Sequence, residues 1–115
     1  MKAVTEQEKI SLDLLRQIAS TRFGDMIKAV VDVARGIMII DADLHSDEEA
    51  ELLATDSRQQ DLWGINLYPD LPQEEWLEFD SMINLRPSSG NRSRNVDDPA
   101  IREQIRNLVK LLVYR

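Results

Sequence analysis

Apolar residues recur at helical spacing near both ends of the chain and alternate at strand spacing between them. The segment ISLDLLRQIASTRFG predicts a helix, because Ser11 can accept a hydrogen bond from a first-turn N–H and Gly24 can end the helix in a left-handed conformation. The segment DDPAIREQIRNLVKLLVYR predicts a second helix, with Asp98 as N-cap and Pro99 at the first helical position. The residues expected on the buried faces are Leu14, Leu15 and Ile18 in the first helix and Ile101, Ile105, Leu108 and Leu112 in the last.

The segment MIKAVVDVARGIMIIDADLH predicts a β-hairpin with a two-residue turn at Arg35 and Gly36. The opposing pairs on its apolar face are then Val33 and Met38, Val31 and Ile40, Ala29 and Ala42, and Ile27 and Leu44. The other face carries Asp32, Asp41, Lys28 opposite Asp43, and Met26 opposite His45. A helix through Ile27, Val30, Val31 and Ala34 is the alternative. The β-branched content and the clean division into two faces favour the hairpin.

The remaining segments predict a short helix and two further strands. HSDEEAELLATDS has Ser46 and Glu49 at the positions of a capping box. DLWGINLYPD and LEFDSMINLRP both alternate, and the Pro-rich PDLPQEEW connects them. The residues on the apolar side of these two strands are Trp63, Ile65 and Leu67 in the first, and Phe79, Ile83 and Leu85 in the second.

This order of elements predicts a single α+β domain over residues 1–115. We expect a two-layer sandwich with a mainly antiparallel, four-stranded sheet, covered on one face by the N- and C-terminal helices. Residues 2–5 are a candidate for a fifth strand at the edge of the sheet.

Composition narrows the classes of function. Asp and Glu number 21 against 14 Lys and Arg, and the net charge of -7 makes nucleic-acid binding unfavourable. The chain has no cysteine, which excludes disulfides, thiolate metal sites and a cysteine nucleophile. No apolar stretch approaches the roughly 18 residues of a membrane span, and the N-terminus lacks the apolar core of a signal peptide. We therefore predict a cytoplasmic protein that does not bind membranes.

Four blocks of the sequence together resemble a known family. The blocks are FGDMIKAVVDV, LHSDEEAELL, QDLWGINLYP and FDSMINLRPSSGNRSR. The family is a group of small bacterial and archaeal proteins defined only as a domain of unknown function, and the resemblance runs from about Phe23 to the last helix. It implies a stand-alone domain and carries over no activity, cofactor or catalytic residue.

The segment RPSSGNRSRN, residues 86–95, contains three arginines and no acid. Guanidinium groups, hydroxyls and a flexible glycine are groups that hold a phosphate or a carboxylate, and a helix N-terminus follows. Asp97 and Asp98 at that helix start would repel an anion, and the glycine spacing of a P-loop is missing. The alternative is a solvated turn whose arginines pair with nearby acids. The candidate ligand-binding residues are Arg86, Ser88, Ser89, Asn91, Arg92 and Arg94.

A second candidate site is a metal centre on the polar face of the predicted hairpin. Residues at every second position of a strand point to one side and can converge on a divalent cation, whose bound water would serve a hydrolase. Lys28 opposite Asp43 would weaken such a site, and the alternative is an ordinary solvated sheet face. The candidate ligands are Asp41, Asp43 and His45, with Glu48 or Asp80 completing the set.

A third candidate is the polar sheet face of Asn66, Tyr68 and Asn84, which suits a small molecule or a homodimer interface. Taken together, the residues favour a small binding or regulatory module that holds an anionic ligand at residues 86–94. The alternatives are a metal-dependent hydrolase at Asp41, Asp43 and His45, and a structural homodimer without a ligand. No cofactor is predicted, and the sequence favours a protein that is not an enzyme.

Overall fold

The fold consists of three helices and a five-stranded antiparallel sheet, which confirms the predicted α+β class. The computed structural model describes all 115 residues. The helices are α1 (Leu12–Arg22), α2 (His45–Ala54) and α3 (Pro99–Leu112), and the strands are β1 (Lys2–Val4), β2 (Ile10–Ser11), β3 (Ile27–Asp32), β4 (Ile37–Ile40), β5 (Leu62–Leu67), β6 (Leu77–Glu78) and β7 (Val113–Tyr114). The sheet order is β1-β4-β3-β5-β6, so the predicted edge strand is present as β1. None of the three helices has the length and the apolar character that a membrane span requires.

The terminal helices have the caps that the sequence predicts. The Ser11 hydroxyl accepts a hydrogen bond from the Leu14 N–H at 3.1 Å, and Gly24 after α1 has φ +93°. The Asp98 carboxylate accepts from the Ala100 N–H at 2.9 Å. Leu14, however, is exposed, so the buried face of α1 lies further around the helix than predicted. The buried residues are Leu15 and Ala19 in α1, and Ile105, Val109 and Leu112 in α3.

The β3–β4 hairpin forms, but its register differs by two residues from the predicted one. Val31 pairs with Met38 and Ala29 pairs with Ile40, so residues 33–36 form a four-residue loop instead of a two-residue turn. Because the shift is an even number of residues, the predicted side chains within β3 and β4 remain on the apolar face. The prediction is wrong for Leu44, which lies beyond the end of β4 and is exposed.

The carboxylate of Asp32 explains the longer loop. It accepts hydrogen bonds from the backbone N–H groups of Ala34 and Arg35, both at 2.9 Å, and from the Ser57 hydroxyl at 2.6 Å. Gly36 completes the loop with φ +68°. Side-chain bonds of this kind stabilise a turn locally and leave no trace in the hydrophobic pattern.

Helices lie on both faces of the sheet, and not on one face alone as expected. Alternate residues of β3 and β4, together with the buried residues of α1 and α3, form the larger apolar cluster. Val30 and Ile39, which point to the opposite face, pack with Leu52 of α2 and Leu62 of β5. Strands that are covered on both sides have nearly continuous apolar runs, and IKAVVDV and IMII are such runs.

The predicted second strand of the wide hairpin ends after two residues. The hydroxyl of Ser81 accepts from the Ile83 N–H at 3.3 Å and begins a 3-10 turn where the alternation predicts β structure. Phe79 packs against the larger cluster, Ile83 against the smaller one, and Leu85 is exposed, so these residues do not share a face. The chain crosses directly over Gly64, where an added Cβ would lie 2.5 Å from the Ser81 side chain.

Helix α2 begins at His45, one residue before the predicted N-cap Ser46, and no side chain caps it. Its buried residues are His45, Glu48 and Leu52, which recur at the spacing of one helix face. Because α2 packs against β3 and β4, this face places an ionisable carboxyl group inside the protein.

Glu48 is that group, and it is fully buried. Neither of its carboxyl oxygens makes a well-formed hydrogen bond. Burial raises the pKa of Glu48 to about 9, while the Ala42 backbone N–H and the charge of Lys28 oppose the shift. At neutral pH the folded protein therefore holds Glu48 as a carboxylic acid.

Replacing Glu48 with glutamine is expected to remove a pH dependence of stability. Between the ordinary pKa of 4.5 and the folded-state pKa of about 9, the unfolded chain has lost a proton that the folded protein keeps. The free energy of unfolding therefore falls as the pH rises through this window, by up to about 1.4 kcal/mol per pH unit. Urea unfolding of the parent protein and of Glu48→Gln at several pH values measures the difference in slope.

Glu51→Gln on the exposed face of α2 is the matched control and should keep the parent slope. If Glu48→Gln and the parent protein have parallel pH profiles, Glu48 is ionised in the folded state, and the assignment is wrong.

Candidate functional site

Arg86, the first residue of the predicted anion-binding loop, points into the protein. Its guanidinium carbon lies 4.1 Å from the centroid of the Trp63 ring. Its Nη atoms donate hydrogen bonds to the backbone carbonyls of Gln59 and Leu62, at 2.5 and 2.9 Å. Burial lowers the pKa of Arg86, and the charge of Glu49 opposes this. Two of the N–H groups of this arginine are therefore committed to backbone carbonyls.

Asn84, predicted on a polar sheet face, is instead a fully buried partner of the β5 backbone. Its Oδ1 accepts from the Gly64 N–H at 2.8 Å, and its Nδ2 donates to the Gly64 carbonyl at 3.0 Å. The same Nδ2 donates to the Arg94 carbonyl at 2.9 Å. The side-chain amide thus makes the two hydrogen bonds with which a neighbouring strand would otherwise pair Gly64.

Together these two side chains close the outer edge of β5. β6 pairs only with Asn66 and Leu67, which would leave the backbone groups further along the edge without partners. Asn84 binds those of Gly64, and Arg86 binds the carbonyl of Leu62. The unpaired backbone groups of an open edge strand can pair with other chains, and here side chains bind those groups instead.

Asn91 holds the predicted loop in shape. Its Nδ2 donates to the carbonyls of Asn84, Ser93 and Asn95 at 2.8, 3.1 and 2.7 Å. Its Oδ1 accepts from the Asp97 N–H at 2.8 Å. All of these partners are backbone groups, so the side chain of Asn91 stabilises the conformation of the loop.

The six predicted loop residues do not converge on one point. Arg86, Ser89 and Asn91 line a cavity of about 310 Å³, but Asp97 and Asp98 line it too, and their carboxylates oppose an anion. The remaining three diverge, since Ser88 and Arg92 are exposed and Arg94 pairs with Asp80 at 2.7 Å.

The predicted metal ligands are also separated by the fold. Asp41 has φ +69° and follows the last residue of β4, so the strand does not continue to His45. The carboxylates of Asp41 and Asp43 accept hydrogen bonds from Arg22, at 2.5 and 2.6 Å. The Nε2 of His45 lies 2.8 Å from the Ile65 carbonyl. No group of three acidic or histidine residues in the structure is arranged to hold a metal ion.

One surface cleft nevertheless brings together residues from all three predicted sets. It has a volume of about 370 Å³ and lies between the start of α2, the β3–β5 pair and the chain after β6. The observed register places Lys28 opposite Asn66 of β5, and not opposite Asp43 as predicted. We call it the polar cleft and define it by Lys28, His45, Asn66, Tyr68, Asp80 and Arg94.

Most of the charges in the polar cleft have partners. Glu78 accepts from the Asn66 Nδ2 at 2.8 Å and from the Tyr68 hydroxyl at 3.3 Å. Burial raises the pKa of Tyr68, and the Glu78 carboxylate adds to the shift. Asp80 is matched by Arg94. The Oδ1 of Asn66, by contrast, is buried and has no hydrogen-bond partner.

Lys28, His45 and the Nη groups of Arg94 are the parts of the cleft that have hydrogen-bonding groups without a protein partner. Lys28 forms no salt bridge, and its nearest aromatic neighbour is Phe23, with 5.5 Å between the amino group and the ring centroid. Burial lowers the pKa of His45, so its ring is neutral at pH 7. Because the Ile65 carbonyl can only accept, Nε2 carries the proton, and Nδ1 is an acceptor without a protein partner. The cleft thus offers a cation without a salt bridge beside the unpaired acceptor of His45, and it also contains Glu78, whose hydrogen-bond partners are both neutral.

The structural role of Arg86 can be separated from a ligand-binding role by mutation. Arg86→Ala should lower the free energy of unfolding by about 2–3 kcal/mol, because it leaves a buried carbonyl unpaired and removes the contact with Trp63. Arg92→Ala, in the same loop but exposed, should change it by less than about 0.5 kcal/mol. Urea unfolding measures both, and equal effects would contradict the assignment.

Comparison with known families agrees with the resemblance noted in the sequence. Residues 4–112 match the family described as Protein of unknown function (DUF5674), so the match includes all three helices, the five strands β2 to β6 and the last residue of β1. No curated protein and no solved structure matches the chain significantly. The chain therefore belongs to the family described as Protein of unknown function (DUF5674).

Proposed function

We propose that the protein is a small binding module that holds an anionic small molecule in the polar cleft. The observation that carries this proposal is the amino group of Lys28, which forms no salt bridge in a chain with a net charge of -7. Only four of the 14 Lys and Arg residues form a salt bridge, and Lys28 is one of the others. Because Lys28 lines a cleft, an anion supplied from outside can reach it there.

Arg94 extends this positive side of the cleft. A guanidinium group has five N–H donors, and only the Nε of Arg94 is engaged, in its bond to Asp80. The Nη groups are therefore available to a carboxylate or phosphate that also contacts Lys28. Arg94 is the one residue of the predicted anion-binding loop that lines this cleft.

An unpaired acceptor defines the rest of the ligand. His45 Nδ1 has no protein donor and can accept from an N–H or O–H of the ligand, which sulfate lacks and a hydroxy acid, amino acid or sugar phosphate has. A volume of about 370 Å³ is at the lower end of the range for small-molecule sites. These features favour a small organic acid that bears a hydroxyl or amino group.

A binding role is favoured over metal-dependent hydrolysis. Asp41 and Asp43 both form a salt bridge with Arg22, and His45 faces the polar cleft instead of these carboxylates. A homodimer without a ligand would leave the Lys28 amino group and the His45 Nδ1 acceptor of this cleft to solvent.

The proposal predicts that hydroxylated anions raise the melting temperature more than matched anions without a hydroxyl. Lactate is compared with propionate, and glycerol phosphate with propyl phosphate, all against chloride at equal ionic strength. A ligand at a hundredfold excess over its Kd stabilises the folded state by about 2.7 kcal/mol, which thermal unfolding detects.

Lys28→Met should abolish the difference, whereas Lys9→Met, an exposed lysine outside the cleft, should leave it unchanged. If no anion of the set raises the melting temperature above that in chloride, or if the rise persists in Lys28→Met, the polar cleft is not the site.

A further inference from the structure

The largest cavity of the molecule lies away from the polar cleft, along the C-terminal half of α3. It has a volume of about 750 Å³ and is bordered by the chain between β5 and β6. We call it the basic groove; its walls include Arg106, Lys110, Arg115, Trp76, Leu77 and Val109.

The charge of this groove is opposite to that of the whole protein. It is lined by three cations and by one acid, Glu74, whereas the chain carries a net charge of -7. Lys110 and Arg115 form no salt bridge, and the salt bridge of Arg106 is an exposed contact of 3.5 Å with Glu103 in the same helix. A pair of this kind contributes little and is easily exchanged for another anion. The guanidinium carbon of Arg106 also lies 5.2 Å from the centroid of the Phe79 ring.

The remainder of the lining is apolar except for Gln73. Trp76, Leu77 and Val109 line the groove, and Trp76 also lines a smaller neighbouring cavity with Leu71 and Tyr114. Leu71 and Tyr114 are 46% and 54% exposed, so the apolar surface continues outward beyond the cations. A concave site with apolar walls and a few charged groups is the usual form of a small-molecule site.

We propose that the basic groove is a second binding site, for an organic anion that carries a carboxylate, sulfonate or phosphate on an apolar, aromatic body. The cations select the acidic group, and the volume is far larger than one inorganic ion needs. The apolar lining around Trp76 accommodates the ring system. The concave shape fits a small molecule better than the flat surface of an acidic protein. None of these observations involves the polar cleft, so this site does not depend on the function proposed above.

The probe for the test is 1-naphthalenesulfonate, titrated into the full-length protein by calorimetry. Saturable binding at one site is expected, and inorganic sulfate and the uncharged 1-naphthalenemethanol should each bind at least about tenfold more weakly. The double variant Arg106→Ala/Lys110→Ala should weaken the naphthalenesulfonate at least about tenfold. The control Lys9→Ala/Arg92→Ala removes two exposed cations elsewhere and so matches the change in net charge.

The proposal is overturned if naphthalenesulfonate does not saturate below about 1 mM, or if the double variant and the control bind it equally. Equal binding of sulfate would also overturn it, because the site would then recognise only the charge. Lys28→Met should leave this binding unchanged. Loss of binding in Lys28→Met would assign the probe to the polar cleft and refute the second site.

Discussion

The hydrogen bonds between the Asn84 side chain and the backbone of Gly64 are the interaction on which the rest of this fold depends. They let a side chain take the place of a strand at the outer edge of β5. Arg86 continues that edge, and the same Asn84 amide fixes the carbonyl of Arg94. The chain from 84 to 94 is thereby pinned across the sheet, which brings Arg94 and Asp80 to the polar cleft. The segment from 86 to 94 thus mainly stabilises the fold, and only one of its arginines, Arg94, lines the polar cleft.

The second constraint is the burial of the sheet on both faces. Because α2 covers Val30 and Ile39, its first residue, His45, is brought against the β5 backbone and so reaches the polar cleft. The same packing buries Glu48 without a partner, which costs stability above its ordinary pKa. The polar cleft and the buried Glu48 therefore both result from the packing of α2 on the sheet. The alternation of apolar and polar residues in the sequence predicts that this face of the sheet is exposed to solvent.

Features that depend on neighbours in sequence could be predicted. The caps at Ser11 and Asp98 and the left-handed Gly24 are local, and the structure confirms all three. The α+β class follows from the order of the elements. Two features could not be predicted from the hydrophobic pattern. The hairpin register depends on hydrogen bonds of the Asp32 side chain, which leave no trace in that pattern although Ala34 and Arg35 are close in sequence. The bond between Gly64 and Asn84 joins residues 20 apart. The predicted pair of Lys28 and Asp43 is wrong because it assumes a two-residue turn, whereas the observed loop has four residues and β4 ends at Ile40.

Hydrogen exchange of the Gly64 amide tests the central claim most directly. If the Asn84 side chain closes the edge of β5, this amide should exchange within about tenfold of the rate of the amides in the middle of β3, because both would open only with the sheet. In Asn84→Ala it should exchange much faster, while the β3 amides keep their relative protection. A Gly64 amide that exchanges in the parent protein as fast as an exposed loop amide would contradict the claim that this side chain acts as a strand.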